Sequence, residues 1–387
     1  MYFYVKYAAS SCVRCRNCVE ICPSYIATGD FKNSPMGRLE LVRRSAAVEE
    51  LYDSFSKCTL CKRCSYFCPL GLDVAEVTRQ MRSWLTEMGR PVPYVEKIVS
   101  NFIKWGNNVG MSPHVAKITL KTVLKRIEYE KGHRPDVLVY HDGRYLDVLD
   151  EVERKPGVNT ALLFPSSSDI FEYNEALRGY VYVLNRLGMQ VVISLHLPDT
   201  ANYGYFLSQR HMYTIVDMYL RQIEEIRPRV VVFGECGHGW HIFSRFVAPK
   251  HPALHIHQLV YKNLDNLKLK RVEVKKPVVY MDPCNYSRGS TPLIHEPRLI
   301  LKRVVGDFVE LWKNPRESLC CLGGGGLIAP EMLKTAVEFW SRAYGRDFGT
   351  AVRPCATCKA QLKRVFRELK IDAEVLGVVE LLYRALD

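Results

Sequence analysis

The stretches "VVVFGECGHG" (residues 230–239) and "TAVRPCATCK" (350–359) decide the fold. Each is a short β-branched run ending in a cysteine, and each is followed by a helical pattern. Outward from them the same order occurs twice. "LLFPSSSD" (162–169), a helix, "VVISLHLPD" (191–199) and another helix precede the first stretch. "VVYMDPCNYS" (278–287), a helix, "ESLCCLGGGG" (317–326) and another helix precede the second. "VNTALLF", "QVVISL", "RVVVF", "KPVVYM" and "GTAV" read as buried strands. Two helices are expected between them. Residues 171–188 carry Leu177, Tyr180, Val181, Leu184 and Leu187 on one face, and residues 298–312 carry Leu301, Val304, Val305, Phe308 and Leu311. Strands alternating with helices predict an α/β fold of parallel sheets with helices on their faces, here as an internal repeat.

Laying Cys355 on Cys236 puts Cys358 on Gly239, Cys284 near Ser166 or Ser167, and the vicinal pair Cys320-Cys321 near Asn202. The second copy thus holds five cysteines where the first holds one. Cys284 and Cys355 follow predicted strands, placing them at the carboxyl edge of a sheet, where α/β folds build their sites. Helices following them favour thiolate over thiol. Neighbouring cysteines do not readily close a disulfide, so another constraint must hold the 320–326 loop. Five thiolates exceed by one the need of a cubane, which suggests an open or distorted cluster able to engage a substrate sulfur. The plainer readings are inert buried cysteines, or a structural zinc on Cys355, Cys358 and two others.

The N-terminal part contains "CVRCRNCVEICP" and "CTLCKRCSYFCP", with Cys12, Cys15, Cys18 and Cys22, then Cys58, Cys61, Cys64 and Cys68. Both read C-x2-C-x2-C-x3-C-P, the ferredoxin run in which the fourth cysteine serves the other cluster. This assigns one 4Fe–4S cubane to Cys12, Cys15, Cys18 and Cys68, and a second to Cys58, Cys61, Cys64 and Cys22. Pro23 and Pro69 turn the chain away from the clusters. Zinc would need only pairs of C-x-x-C. Residues 37–57 between the motifs read as a helix with Leu41, Val48, Leu51 and Phe55 inward, so a helical ferredoxin is expected.

The predicted organisation is a ferredoxin domain (1–90), a helical connector (91–156), a degenerate first α/β domain (157–270) and a second with the intact site (271–387). In the connector, Val95, Ile98, Val99 and Phe102 form a stripe that packs on its own protein or on a partner. The net charge of +13 fits either a solvated basic surface or a landing site for an acidic protein or anionic membrane face. No clustered Lys/Arg run exists, which argues against nucleic acid. With no signal-peptide pattern and no apolar run long enough to span a bilayer, a cytoplasmic chain is expected, attached to a membrane only through a partner.

The constellation Cys284, Cys320-Cys321, Cys355 and Cys358 resembles the cysteine-rich CCG domain of heterodisulfide reductase catalytic subunits. "DPCNYSRG", "EPRLIL", "CCLGGGG" and "GECGHGW" look most like the DsrK type. The resemblance implies paired CCG domains behind the ferredoxin module and a non-cubane 4Fe–4S cluster on the five cysteines. It further implies a cytochrome b partner (DsrM-like) in the membrane that exchanges electrons with quinone, other complex subunits, and a small sulfur carrier (DsrC-like) as substrate. A disulfide or trisulfide would be reduced or formed there. Methanogen-type heterodisulfide reduction, or an electron-transfer and anchor role in a glycerol-3-phosphate or lactate dehydrogenase complex, are the alternatives; no G-x-G-x-x-G loop is present. Leu322 stands where the family usually has a glycine, leaving Gly323 and Gly324 to admit the cluster. Cys236 is a ligand or a pocket-lining residue. His238, with Glu235 and His241, donates protons or simply packs, and Asp282 and His295 flank Cys284.

Overall fold

Two buried arginines organise the N-terminal helices of the computed structural model, which describes residues 2–197, 199–324 and 349–387. Arg38 donates to the Ser54 carbonyl, and Arg82 donates to the carbonyls of Phe55, Ser56 and Cys58. These carbonyls lie in and just beyond the last turn of a helix, where i→i−4 partners run out. The helix in question is Val48–Ser56. The single helix expected over 37–57 is in fact two, Pro35–Arg43 and Val48–Ser56, because Ser45 turns into the left-handed region at φ 52°. Their apolar faces, with Leu41, Leu51 and Phe55, close on the helices Phe3–Ser11 and Val74–Glu87.

The connector begins with the helices Pro93–Trp105 and Pro113–Lys131, each opened by a proline whose missing N–H costs nothing there. Val95, Val99 and Phe102 pack on the chain's own core, Phe102 edge-on to Tyr219. Beyond Lys131 the connector stops being helical. Residues Val137–His141 (β1), Arg144–Asp147 (β2) and Val152–Glu153 (β3) are strands, and β1 runs parallel to Gln190–Ser194 (β5). The boundary expected at 156 therefore cuts through a sheet. Asp142 and Gly143, both at positive φ, make the tight turn that lets β1 and β2 pair as a hairpin.

The first sheet has the order β3-β2-β1-β5-β4-β6-β7, with β4 at Thr160–Phe164, β6 at Val230–Phe233 and β7 at Ala253–His255. The second runs β11-β10-β8-β9, with β8 at Val278–Tyr280, β9 at Val309–Glu310, β10 at Thr350–Val352 and β11 at Glu374–Leu376. Numbered within each copy, both give the parallel order 2-1-3-4, so the internal repeat holds at the level of topology. The first copy differs by the added β1–β3 strands. The copies pack reciprocally: Asn174–Arg186 lies on Val378–Ala385, and Ile256–Lys262 lies on His295–Val305. Gly179 permits the first contact, since a Cβ there would stand 2.5 Å from the Val379 carbonyl oxygen.

The helix expected over 298–312 spans His295–Val305. Gly306 ends it at φ 80°, and Val309–Glu310 then joins the sheet beside β8, so Phe308 and Leu311 leave the helical stripe. Gly325, Gly326 and the helix expected after them lie outside the described residues.

Candidate iron–sulfur and catalytic site

Both ferredoxin loops curl in the same way. Arg14 and Arg16 in the first, and Leu60 and Lys62 at the matching positions of the second, all take positive φ. Two residues per loop, held in a sparsely used region, bend each backbone around its cysteines. Cys12, Cys15, Cys18 and Cys68 line one small cavity. Cys22, Cys58 and Cys61 line another, and Cys64 borders both. Sets of convergent thiols fit 4Fe–4S clusters in donor chemistry.

The second ferredoxin loop lies against the vicinal pair. Cys320 hydrogen-bonds to Thr59 Oγ1 at 3.6 Å and to the Cys61 thiol, whose pKa is raised by that contact and by burial. Arg288 Nε donates to the Cys61 carbonyl at 3.0 Å. Gly324 lies close at this join: a Cβ there would stand 3.2 Å from the Thr59 carbonyl oxygen. His241 adds a further tie. Its Nδ1 accepts from the Ser290 backbone N–H at 2.9 Å, and its Nε2 lies 2.7 Å from Lys62 Nζ.

The five cysteines of the second copy meet at the carboxyl ends of β8 and β10, where the strand order reverses. Cys284 opens the helix Cys284–Arg288, and Cys355 caps the helix Ala356–Leu369, which carries Cys358 in its first turn. Thiol contacts run in a chain: Cys320 touches Cys284 and Cys321, Cys321 touches Cys358, and Cys358 touches Cys355. Hydrogen bonds from Cys320 and Cys358 hold the Cys321 thiol well below its ordinary range despite burial. The donors Cys320 and Cys358 are correspondingly pushed up. Backbone N–H groups also face the sulfurs, from Leu322 to Cys320 (3.3 Å), Gly323 to Cys321 (3.4 Å) and Gly237 to Cys355 (3.5 Å).

Leu322 has φ 63°, a left-handed conformation that glycine adopts without strain. Leucine occupies it at a cost of about 1–2 kcal/mol. Its side chain compensates, being 2% exposed and packed with Val279, Met281, Ala351 and Leu362. Replacing Leu322 by glycine removes the strain and leaves a hole, for a net loss of about 1–3 kcal/mol in thermal unfolding, with iron content unchanged.

Arg353, which sequence reasoning passed over, is fully buried one residue after β10. It donates to the carbonyls of Leu319 (2.9 Å) and Asp282 (3.4 Å), which precede Cys320 and Cys284. Burial opposes its charge, but Cys358, Cys321, Cys284 and Cys320 raise its pKa further. The available signal was a cation closing an apolar strand two residues before a cysteine.

The other predicted residues separate in role. Cys236 is buried beside Cys355, and its Sγ is 3.7 Å from His238 Nδ1. Burial pushes His238 down to about 4, so it is neutral at pH 7, and its Nε2 has no hydrogen-bond partner among the described residues. His241 is pushed down to about 2 by burial and Lys62, which suits its structural tie and not proton donation. Glu235 accepts from His257 Nε2 and from the backbone N–H groups of Val378 and Val379, joining the two copies. Asp282 is paired with Arg298, and His295 is exposed.

At the corresponding edge of the first copy is a cavity of about 150 Å³ bordered by Ser167, Asp199, Cys236, Gly323, Thr357 and Arg364. It adjoins the five-cysteine site through Cys236 and Gly323.

A 4Fe-4S dicluster domain matches residues 8–72. Nearly the whole chain (97%) is 26% identical to the Hdr-like menaquinol oxidoreductase iron-sulfur subunit 2 of Archaeoglobus fulgidus, covering 79% of that protein. The same share is 23% identical to one of the subunits of the dihydromethanophenazine:CoB–CoM heterodisulfide reductase of Methanosarcina acetivorans, covering 93% of it. One of the subunits of the CoM/CoB fumarate reductase of Methanothermobacter marburgensis is 23% identical over 96% of this chain and 71% of its own length. The chain is therefore an iron–sulfur oxidoreductase subunit similar to the heterodisulfide reductase proteins. Among the described residues no helix is long and apolar enough to cross a membrane.

Proposed function

We propose that this chain is the DsrK-like subunit that reduces or forms a disulfide or trisulfide on a small sulfur-carrier protein of the DsrC kind. It exchanges electrons with a membrane cytochrome b partner, linked to quinone, and works at the cytoplasmic face of the membrane. The observation that carries this reading is the continuity of thiols from Cys61 through Cys320 to Cys284, Cys321, Cys358 and Cys355. Electrons arriving at the second ferredoxin motif are thereby next to a five-thiol site with its own cavity. Cys15, in the first motif, is exposed and suits the side facing the electron partner.

The five cysteines would hold a third 4Fe–4S cluster, non-cubane as the resemblance implies, which when bound would supply one-electron transfer to a substrate sulfur. The chain's residues do the rest. Arg353 opposes the negative charge of the thiolates in a water-excluded place. Gly323 and Gly324 let the backbone lie close. Neutral His238 faces Cys236 with its Nδ1 and leaves Nε2 unpaired among the described residues, and Cys236 lines the cavity that admits the substrate sulfur. Cleaving one disulfide takes two electrons and two protons and releases two thiols.

The test is oxidation of a reduced viologen dye by the iron–sulfur-loaded protein, with and without a disulfide or trisulfide substrate. Substrate-dependent oxidation is expected. If the protein accepts electrons from a flavoprotein but leaves every disulfide and trisulfide intact, it is an electron-transfer and anchor subunit instead.

A further inference from the structure

A second cluster of metal-ligating side chains stands away from the cysteines, on the strands that only the first sheet possesses. Strand β1 ends at His141, and its parallel neighbour β5 ends at Ser194, with Tyr140 in register with Ser194. The Leu195 N–H donates to the Tyr140 carbonyl at 2.9 Å, so the two chains leave the sheet side by side. His141 and His196 consequently stack, ring centroids 4.5 Å apart and planes 17° apart.

The Asp142-Gly143 turn brings a carboxylate to the same spot. Asp142 Oδ2 is 3.1 Å from His141 Nδ1, and Oδ1 is 2.9 Å from His196 Nε2. One donor atom from each of the three residues falls within 4.8 Å of the others. The turn is fixed by its left-handed residues. Gly106 packs directly behind His196, where a Cβ would stand 1.4 Å from the His196 carbonyl oxygen.

We infer that His141, Asp142 and His196 form a binding site for a divalent transition metal of the zinc class. Two imidazole nitrogens and one carboxylate oxygen are the donors such ions take, at about 2.0–2.2 Å from each, with water completing the shell. A hard ion such as magnesium or calcium would call for oxygen donors instead. The side chains are partly exposed, so the ion enters directly from solvent. Bound there, it ties the β1–β2 hairpin to the segment after β5, across 54 residues of sequence.

Equilibrium dialysis of the iron–sulfur-loaded protein against zinc, followed by metal analysis, tests the site. One zinc per chain is expected beyond any bound by the variants. His141→Ala and His196→Ala should each weaken that zinc at least tenfold while iron content stays constant. Asp142→Asn, which can still hydrogen-bond but has lost the charge, should weaken it as well. Equal zinc in the native protein and all three variants, or no zinc in any of them, overturns the site.

Discussion

Cys321→Ser is expected to yield protein with about eight irons in place of about twelve, with no disulfide reductase activity and with both ferredoxin signals retained. Serine is nearly isosteric, so the buried loop keeps its packing. It cannot replace the thiolate, because a hydroxyl does not ionise near neutral pH. The position matters because Cys321 is the middle member of the thiol chain, joined to Cys320 on one side and Cys358 on the other. The ferredoxin cysteines belong to separate cavities and are untouched by the change. Iron analysis, electron paramagnetic resonance of the reduced protein and the viologen assay read the three parts independently. Activity that survives this substitution would place the chemistry elsewhere.

Arg353→Met is expected to be as severe by a different route. The guanidinium has no access to water and donates to carbonyls on both cysteine-bearing loops. Removing one member of a buried charged set costs about 3–5 kcal/mol, since the remaining charge is left uncompensated. The Met variant should therefore lose thermal stability and bind iron poorly at the third site, while binding it normally in the ferredoxin module. Arg353→Lys separates the roles. It restores the charge without the guanidinium's spread of donors, so iron occupancy should partly return while stability stays below native. If Met and Lys variants both match the native protein in iron and stability, Arg353 has no part in the site.

The chain shows where sequence is readable and where it is not. Cysteine spacing was legible because ligation of a cluster leaves little freedom in the motif. The strands around Cys236, Cys284 and Cys355 were legible because they are buried on both faces and run apolar. The β1–β2 hairpin carried a readable Asp142-Gly143 signal, but its strands lie inside a segment whose opening prolines and stripe suggested helices throughout. Ser45 and Gly306 broke two expected helices for conformational reasons that periodicity does not register. Arg353, the Lys62–His241 tie and the contact between Cys61 and Cys320 are tertiary, joining residues far apart in sequence. Leu322 is instructive in the same way. The departure from the family's glycine was visible in the sequence, but the buried pocket that makes leucine tolerable was visible only in three dimensions.

The central claim is that a third cluster sits on Cys284, Cys320, Cys321, Cys355 and Cys358, beside the second ferredoxin motif. Iron and sulfide analysis of anaerobically purified protein, correlated with its paramagnetic signals, tests it most directly. About twelve irons per chain, with a signal distinct from the two ferredoxin clusters, is the predicted result. About eight irons with only the ferredoxin signals, from protein whose ferredoxin sites are full, would contradict it.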